Sequence, residues 1–325
     1  MTAYIGRLAP SPTGLLHLGH AATFYAAFAR ARDHAGTLLL RNEDLDPERS
    51  RLEFVSAMLE DIAWLGIAWQ PAMLSQSTRL AAYRASFHAL LRTGLVYPCT
   101  CSRRDLAQDL ARSLHAPHHE DPALVLDPMA VALDPADDEP VYDNCCRPPQ
   151  PTPIENFTPA NYRFRVPDGE TIRFLDRNLG PKSFTAGRDF GDFLIWRRPL
   201  TRTPQTSGAP GDATPQTSGA PGASPLGTWD TTIGLPSYQL ACVVDDAFQQ
   251  ITEVVRGADL LKSTARQIIL QRALGIATPA YFHTALLRDE HGVRLAKRHD
   301  ALALRTLRER GLTPTDVLAR IAAAP

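Results

Sequence analysis

The chain has 325 residues, 44% hydrophobic and 21% charged, which excludes wholesale disorder and allows two or three domains, or one large domain with insertions. Its 34 Lys+Arg and 35 Asp+Glu nearly cancel, so contact with nucleic acid must come from a local basic patch and not from bulk charge. No apolar run reaches the ~18–20 residues of a bilayer span, the opening MTAYIGRLAPSPTG lacks a signal-peptide core, and five cysteines do not pair evenly, so a cytoplasmic protein with free or metal-bound thiols is expected.

In chain order, Tyr4–Ala9 predicts a buried strand. His20–Ala35 predicts a helix, with Ala21, Phe24 and Phe28 on one face and Arg30 and Arg32 on another. Thr37–Arg41 predicts a second strand, and Leu52–Leu65 and Leu80–Leu91 amphipathic helices. Strand–helix–strand order argues for an α/β fold, a parallel sheet with helices on its faces. Residues 113–140 are rich in Pro and carry His115, His118, His119 and the acids Asp134, Asp137, Asp138 and Glu139; a mobile excursion is expected. Tyr162–Val166 and Thr171–Phe174 predict a β-hairpin turning at Pro167–Gly169. In 201–227, TPQTSGAPG recurs at 203–211 and 214–222, and its Pro and Gly predict a disordered loop. Ala241–Val244 and His283–Leu287 predict buried strands, and 300–310 and 314–323 helices.

The segment Leu8–His20, LAPSPTGLLHLGH, joins the first strand to the first helix. His17 and His20 then stand at a helix N-terminus, where free N–H groups and the helix dipole favour an anion such as phosphate. Gly19 lets a nucleotide approach the backbone. The two imidazoles, three residues apart, share one side of the helical turn and can donate to oxygens as charge builds up.

RLAPSPTGLLHLGH resembles the first motif of the class I glutamyl-tRNA synthetases. The resemblance continues in order at Arg41–Asp46 (RNEDLD), Leu235–Asp246 (LPSYQLACVVDD), Val255–Asp259 (VRGAD) and Arg294–Arg298 (RLAKR), the last in the place of the KMSKS loop. It implies a Rossmann-type parallel sheet with helices on both faces, divided as 1–96 and 191–298. An inserted acceptor-like subdomain with a zinc site, 97–190, and a short helical part, 299–325, complete the expected layout. Only 27 residues follow Arg298, too few for the family's anticodon-binding region. The chain is therefore similar to the truncated glutamyl-Q branch of that family. That branch activates glutamate with ATP without needing tRNA, and transfers it to the queuosine base in the anticodon loop of tRNA(Asp).

By the same resemblance, Arg7, Ala9 and Ser11 line the glutamate site, with Arg7 on the side-chain carboxylate. Glu43 binds the ammonium, and Tyr238 and Arg256 complete the site. A guanidinium suits a carboxylate because it binds it as a two-pronged fork. His17, Gly19, His20 and Lys297 take ATP, with Mg²⁺ accompanying it, and His17, His20 and Lys297 stabilise charge in the reaction. Ala296 replaces the KMSKS serine and Arg294 its first lysine, so a hydroxyl contact is lost and both charges stay.

Related enzymes hold a structural zinc with a CxC pair and a later YxxxC pair. On that pattern the ligands are Cys99, Cys101, Tyr142 and Cys146. Cys145 in place of Cys146, or His115, His118 or His119 in place of Tyr142, are rival sets, and two pairs of free thiols are the alternative to any metal. Cys242, in the apolar run ACVV, reads as core. Arg103, Arg104, Arg197 and Arg198 are candidates for RNA contact, and a monomer would suffice. Competing functions are conventional charging of a tRNA 3′ end, a small-molecule nucleotidyltransferase, and a non-catalytic paralogue that binds glutamate or tRNA.

Overall fold

The structure, a computed structural model, describes residues 3–101, 141–199, 234–287 and 303–323. The first sheet is built from β1 (Ile5–Leu8), β2 (Thr37–Asn42) and β3 (Met73–Ser75), all parallel, with α1 (Leu18–Asp33) and α2 (Leu52–Trp64) as crossovers. Ile5 pairs with Thr37 and Leu8 with Leu40, which brings the ends of β1 and β2 level. The 3.6-residue spacing of Ala21, Phe24, Ala27 and Ala31 buries one face of α1 on this sheet.

The chain continues through α3 (Leu80–Thr93), β4 (Val96–Cys99), β5 (Asn161–Phe164), β6 (Thr171–Asp176), β7 (Gly180–Thr185), β8 (Phe193–Arg197) and β9 (Leu235–Pro236). Gly94 ends α3 at φ 73°; a Cβ there would lie 2.8 Å from the Thr152 nitrogen, so both dihedral and space require glycine. Next come α4 (Tyr238–Phe248), β10 (Glu253–Gly257), α5 (Leu261–Leu274), β11 (Ala280–Thr284), α6 (Leu304–Glu309) and α7 (Pro314–Ala323).

Strands β10 and β11 are parallel, with Arg256 level with His283. Beyond them the hairpin β6–β7 closes the sheet in the order β10-β11-β6-β7. The parallel strands of the two sheets meet at β1 and β10. There the Thr252 N–H donates to the Ile5 carbonyl (2.9 Å) and the Ile5 N–H to Thr252 Oγ1 (2.9 Å). The Arg7 side chain reaches the Val255 carbonyl across the same seam (3.1 Å). Strand order therefore reverses at β1/β10, the place where open α/β sheets bind ligands. A separate antiparallel sheet, β4-β5-β8-β9, packs with α3, α4 and α5 around Phe87, Trp196 and Phe164.

Two expected elements are different. The hairpin of Tyr162–Val166 with Thr171–Phe174 does not form. β5 pairs with β4 and β8, while β6 pairs with β7, from Thr171↔Thr185 to Asp176↔Gly180. Ala241–Val244 is helical, inside α4. Ser237 caps that helix by accepting from the Leu240 N–H, and Leu240 to Asp246 are all buried, which gives the run a strand-like composition. The strand expected at His283–Leu287 is β11, three residues earlier. The 113–140 and 201–227 stretches lie outside the described residues. No helix among the described residues is long and apolar enough to cross a membrane.

Candidate active site and thiol cluster

A cavity of about 590 Å³ opens at the carboxyl ends of β1 and β2. Its lining includes Ala9 and Ser11 after β1, Glu43 after β2, His17 and His20 at the start of α1, and Tyr238 at the start of α4. Parallel pairing sets this geometry, because each strand delivers its following loop to the same edge.

His17 is the N-cap of α1. Its Nδ1 accepts from the Gly19 N–H (3.1 Å), and His20 Nδ1 accepts from the His17 N–H (3.2 Å), a reciprocal cap. A neutral imidazole that accepts at Nδ1 carries its proton on Nε2. Both rings are thereby set as Nε2 donors, with centroids 3.9 Å apart. Gly19 makes the arrangement possible, since a Cβ there would stand 3.0 Å from His17 Cε1. Ala303 also lines the cavity and bridges to His17. The segment carrying Arg294, Ala296 and Lys297 lies outside the described residues.

Below the cavity the charges are paired. Asp246 Oδ1 accepts from Arg41 Nη1 (2.6 Å) and Arg7 Nε (3.3 Å). Glu43 Oε1 accepts from Arg41 Nη2 (3.0 Å) and takes the Cys242 thiol (3.4 Å). Burial works against the Arg41 charge, but Asp246 and Glu43 outweigh it and hold the guanidinium well above its ordinary range. Burial likewise pushes the Cys242 thiol up, helped by Glu43, so it stays a neutral donor. Cys242, expected in the core, is buried and also touches a cavity residue. Arg41 and Asp246 were named from the sequence only as ends of motifs, with no role; the signal was that acids in the apolar run ACVVDD needed partners.

Arg256 differs. Its Nε donates to His283 Nε2 (3.3 Å), Nη2 to Thr264 Oγ1 (2.8 Å) and Nη1 to the Tyr238 hydroxyl (3.4 Å). None of these partners is a carboxylate. The residue is 5% exposed, and Tyr238 connects it to the cavity.

The second cluster lies at the end of β4. The Sγ atoms of Cys99, Cys101 and Cys146 are all within 4.8 Å of one another. The Tyr142 hydroxyl is 3.5 Å from Cys99 Sγ and 3.8 Å from Cys101 Sγ, and Cys101 Sγ is 3.5 Å from Cys146 Sγ. A tetrahedral zinc with ligands at 2.0–2.3 Å has ligand–ligand edges of roughly 3.5–3.8 Å, so this donor set fits the ion. Cys145 is exposed, 2.9 Å from Cys101 Sγ and 3.3 Å from the Tyr142 hydroxyl, and stays a rival ligand. Arg163 donates to Cys99 Sγ (3.3 Å) and lies 3.8 Å above the Tyr142 ring, a cation packed against the cluster. His115, His118 and His119 lie outside the described residues, as do Arg103 and Arg104. Arg197 donates to the Leu45 carbonyl (2.8 Å) and braces the loop after β2.

The family model for class I tRNA synthetases (E and Q), catalytic domain, matches residues 5–123 and 225–323. A glutamyl-Q tRNA(Asp) synthetase of Geobacter sulfurreducens is 38% identical over 300 residues, covering 92% of this chain and 77% of that protein. One from Rhodobacter capsulatus is 36% identical and covers 96% of this chain and 98% of that protein. The chain belongs to the glutamyl-Q tRNA(Asp) synthetase family. As a class I synthetase of that family it is a ligase. Its fold is shared by a glutamate tRNA ligase of Elizabethkingia meningosepticum, solved in complex with its amino acid, at TM-score 0.67 and 21% identity; this chain spans 61% of that one.

The structure brings most of the residues expected from the motifs to one place. Ala9, Ser11, His17, His20, Glu43 and Tyr238 share one cavity. Arg256 joins it through Tyr238, and Arg7 stands beneath it on Asp246. Lys297 alone of the expected reacting groups lies outside the described residues.

Proposed function

We propose that the protein activates glutamate with ATP, without tRNA, and transfers it to the queuosine base in the anticodon loop of tRNA(Asp). The observation that carries this reading is the juxtaposition in one cavity of a capped histidine pair and a carboxylate, with a buried arginine behind Tyr238 that has no carboxylate hydrogen-bonded to it among the described residues. Glutamate needs a cation for each carboxylate and an anion for its ammonium, and ATP needs donors at its phosphates. Arg7 and Arg256 serve the carboxylates, Glu43 the ammonium, and Ala9, Ser11 and Tyr238 the walls. His17, Gly19 and His20 take the phosphates at the α1 N-terminus. Lys297, assigned by its place in the RLAKR segment, adds a charge there.

In the first step the glutamate α-carboxylate oxygen bonds to the α-phosphorus of ATP, and pyrophosphate leaves with the electron pair of the broken P–O bond. The Nε2 donors of His17 and His20 stabilise the charge that develops, and the protein supplies position and electrostatics in place of covalent chemistry. Mg²⁺ enters with ATP as part of the substrate. In the second step a hydroxyl of the queuosine cyclopentenediol attacks the acyl carbon; AMP leaves, and the hydroxyl proton is released.

The domain division, 1–96 with 191–298 as catalytic halves around 97–190, is part of this proposal. So is a structural zinc on Cys99, Cys101, Tyr142 and Cys146. Bound there, zinc would cross-link β4 to the 142–146 segment across a long chain excursion, a closure whose entropy cost grows only slowly with length.

The test follows labelled glutamate onto tRNA(Asp) with ATP, comparing RNA with and without queuosine. Both RNAs lack the terminal adenosine, so ordinary charging is blocked. Label only on the queuosine-containing RNA is the expected result. Label that appears only when intact 3′ ends are restored would overturn the proposal in favour of conventional charging. No label on any RNA, with no glutamate-dependent ATP–pyrophosphate exchange, would favour a binding protein.

A further inference from the structure

The geometry points to Asp176 and His283 as positioning residues that hold Arg256 through a neutral acceptor, leaving its charge for the carboxylate of the substrate. This rests on the reading of the cavity as a glutamate site.

Asp176 ends β6, His283 lies in β11, and Arg256 is level with His283 on β10. Both Asp176 and His283 are sealed from solvent, at 1% and 0% exposure. Asp176 Oδ1 accepts the N–H groups of Asn178 (3.0 Å) and Leu179 (2.8 Å). Its Oδ2 accepts the His283 N–H (3.1 Å) and stands 2.6 Å from His283 Nδ1. Burial opposes the Asp176 charge, but His283 and the two backbone donors outweigh it and hold the carboxyl below its usual range. An ionised carboxylate only accepts, so His283 Nδ1 must carry the proton. In the neutral ring Nε2 then offers only a lone pair, and that is the atom Arg256 Nε addresses. Thr264 Oγ1, 3.1 Å from the same nitrogen, accepts from Arg256 Nη2 and completes the cradle. Burial and the Arg256 charge lower the imidazole to about 4, so the ring stays neutral at working pH.

The design has a purpose that a direct carboxylate would defeat. A carboxylate directly on Arg256 would neutralise it, as Asp246 and Glu43 together do for Arg41; Asp246 acts on Arg256 through space only. Here the acid is one ring removed, and the arginine receives a hydrogen bond acceptor with no net charge. A substrate carboxylate can then balance the guanidinium, whereas a carboxamide cannot.

Three substitutions test this. In Asp176→Asn, the two backbone N–H groups claim the carboxamide oxygen at the Oδ1 position, which turns the NH₂ toward His283. The ring must then move its proton to Nε2, where it meets the Arg256 N–H. His283→Gln keeps an oxygen that can accept from Arg256, and His283→Leu keeps none. In tRNA-free ATP–pyrophosphate exchange, Asp176→Asn and His283→Leu are expected to raise KM for glutamate about 10-fold or more. KM for ATP should move less than about 2-fold, and His283→Gln should recover most of the loss. Nitrogen-15 histidine spectra of the full chain, with the His283 signals identified by their absence in His283→Gln, should show a proton on Nδ1 in the wild type and on Nε2 in Asp176→Asn. An unchanged glutamate KM in all three folded variants would overturn the inference, leaving the pair a purely structural contact, as would an Nε2 proton in the wild type. If the wild-type protein itself gives no glutamate-dependent exchange, it is the proposed function that fails.

Discussion

Arg7 and Arg256 flank one cavity from adjoining strands, and both are almost sealed from water, at 4% and 5% exposure. Arg7 lies against Asp246, which also takes Arg41, and Arg41 takes Glu43 in turn. Arg256 lies among a histidine, a threonine and a tyrosine. The first arrangement settles the Arg41 charge within the protein and holds β1, β2 and α4 together. The second leaves a cation for an incoming anion. Buried ions are costly unless paired, so a guanidinium hydrogen-bonded, among the described residues, only to neutral groups keeps charge for a ligand, while Arg41, held by two carboxylates, is scaffold.

The difference predicts how each side fails. Arg256→Leu should lower kcat/KM for glutamate about 1,000-fold in pyrophosphate exchange, and Arg256→Lys about 100-fold because the fork is lost. Either variant should melt near the wild type. Arg41→Leu should do the reverse. It leaves Asp246 and Glu43 buried with too little countercharge and should cost about 3–5 kcal/mol in denaturant unfolding. A variant of Arg41 that is stable, or one of Arg256 that unfolds, would break the distinction.

The thiol cluster sharpens the same contrast, since its balancing charge would come from a metal. Cys146→Ser should weaken zinc binding about 100-fold or more in chelator competition, while Cys145→Ser leaves it within a few fold. The opposite ranking would make Cys145 the ligand. The smallest effect concerns Asp61 of α2, buried far along the chain from these groups. Neither carboxylate oxygen has a hydrogen bond among the described residues, and Arg308 Nη1 is 3.8 Å away. Burial pushes its carboxyl up to about 6. A carboxyl raised in the folded state destabilises it when ionised, so stability falls as pH rises from the unfolded value through about 6. Asp61→Asn should therefore gain about 1–2 kcal/mol at pH 8 and lose most of that gain by pH 4, read from thermal unfolding.

The loop from β1 to α1 was legible in the sequence because Pro10, Pro12, Gly14 and the HLGH cap are local features, fixed by residues that touch within a few positions. So were the first two strands and three helices, whose periodicity faces one side. The runs that misled were those buried on every face. Ala241–Val244 has the composition of a strand, yet Ser237 caps a helix there, and no alternation existed to tell them apart. The hairpin expected around Pro167–Gly169 failed because β6 finds its partner downstream in β7 and β5 finds two partners elsewhere. The charge networks were invisible for a different reason. Arg41 meets Asp246 across 205 positions, and Asp176 meets His283 across 107, so only the folded sheet brings them together.

The most direct measurement of the central claim compares glutamate with glutamine in ATP–pyrophosphate exchange, with no tRNA present. The two amino acids match in shape and differ in the side-chain charge that Arg7, together with Arg256, is proposed to meet. Exchange supported by glutamate, with glutamine at least about 100-fold poorer in kcat/KM, is the predicted result. Equal exchange with both, or exchange only when tRNA is added, would contradict the account.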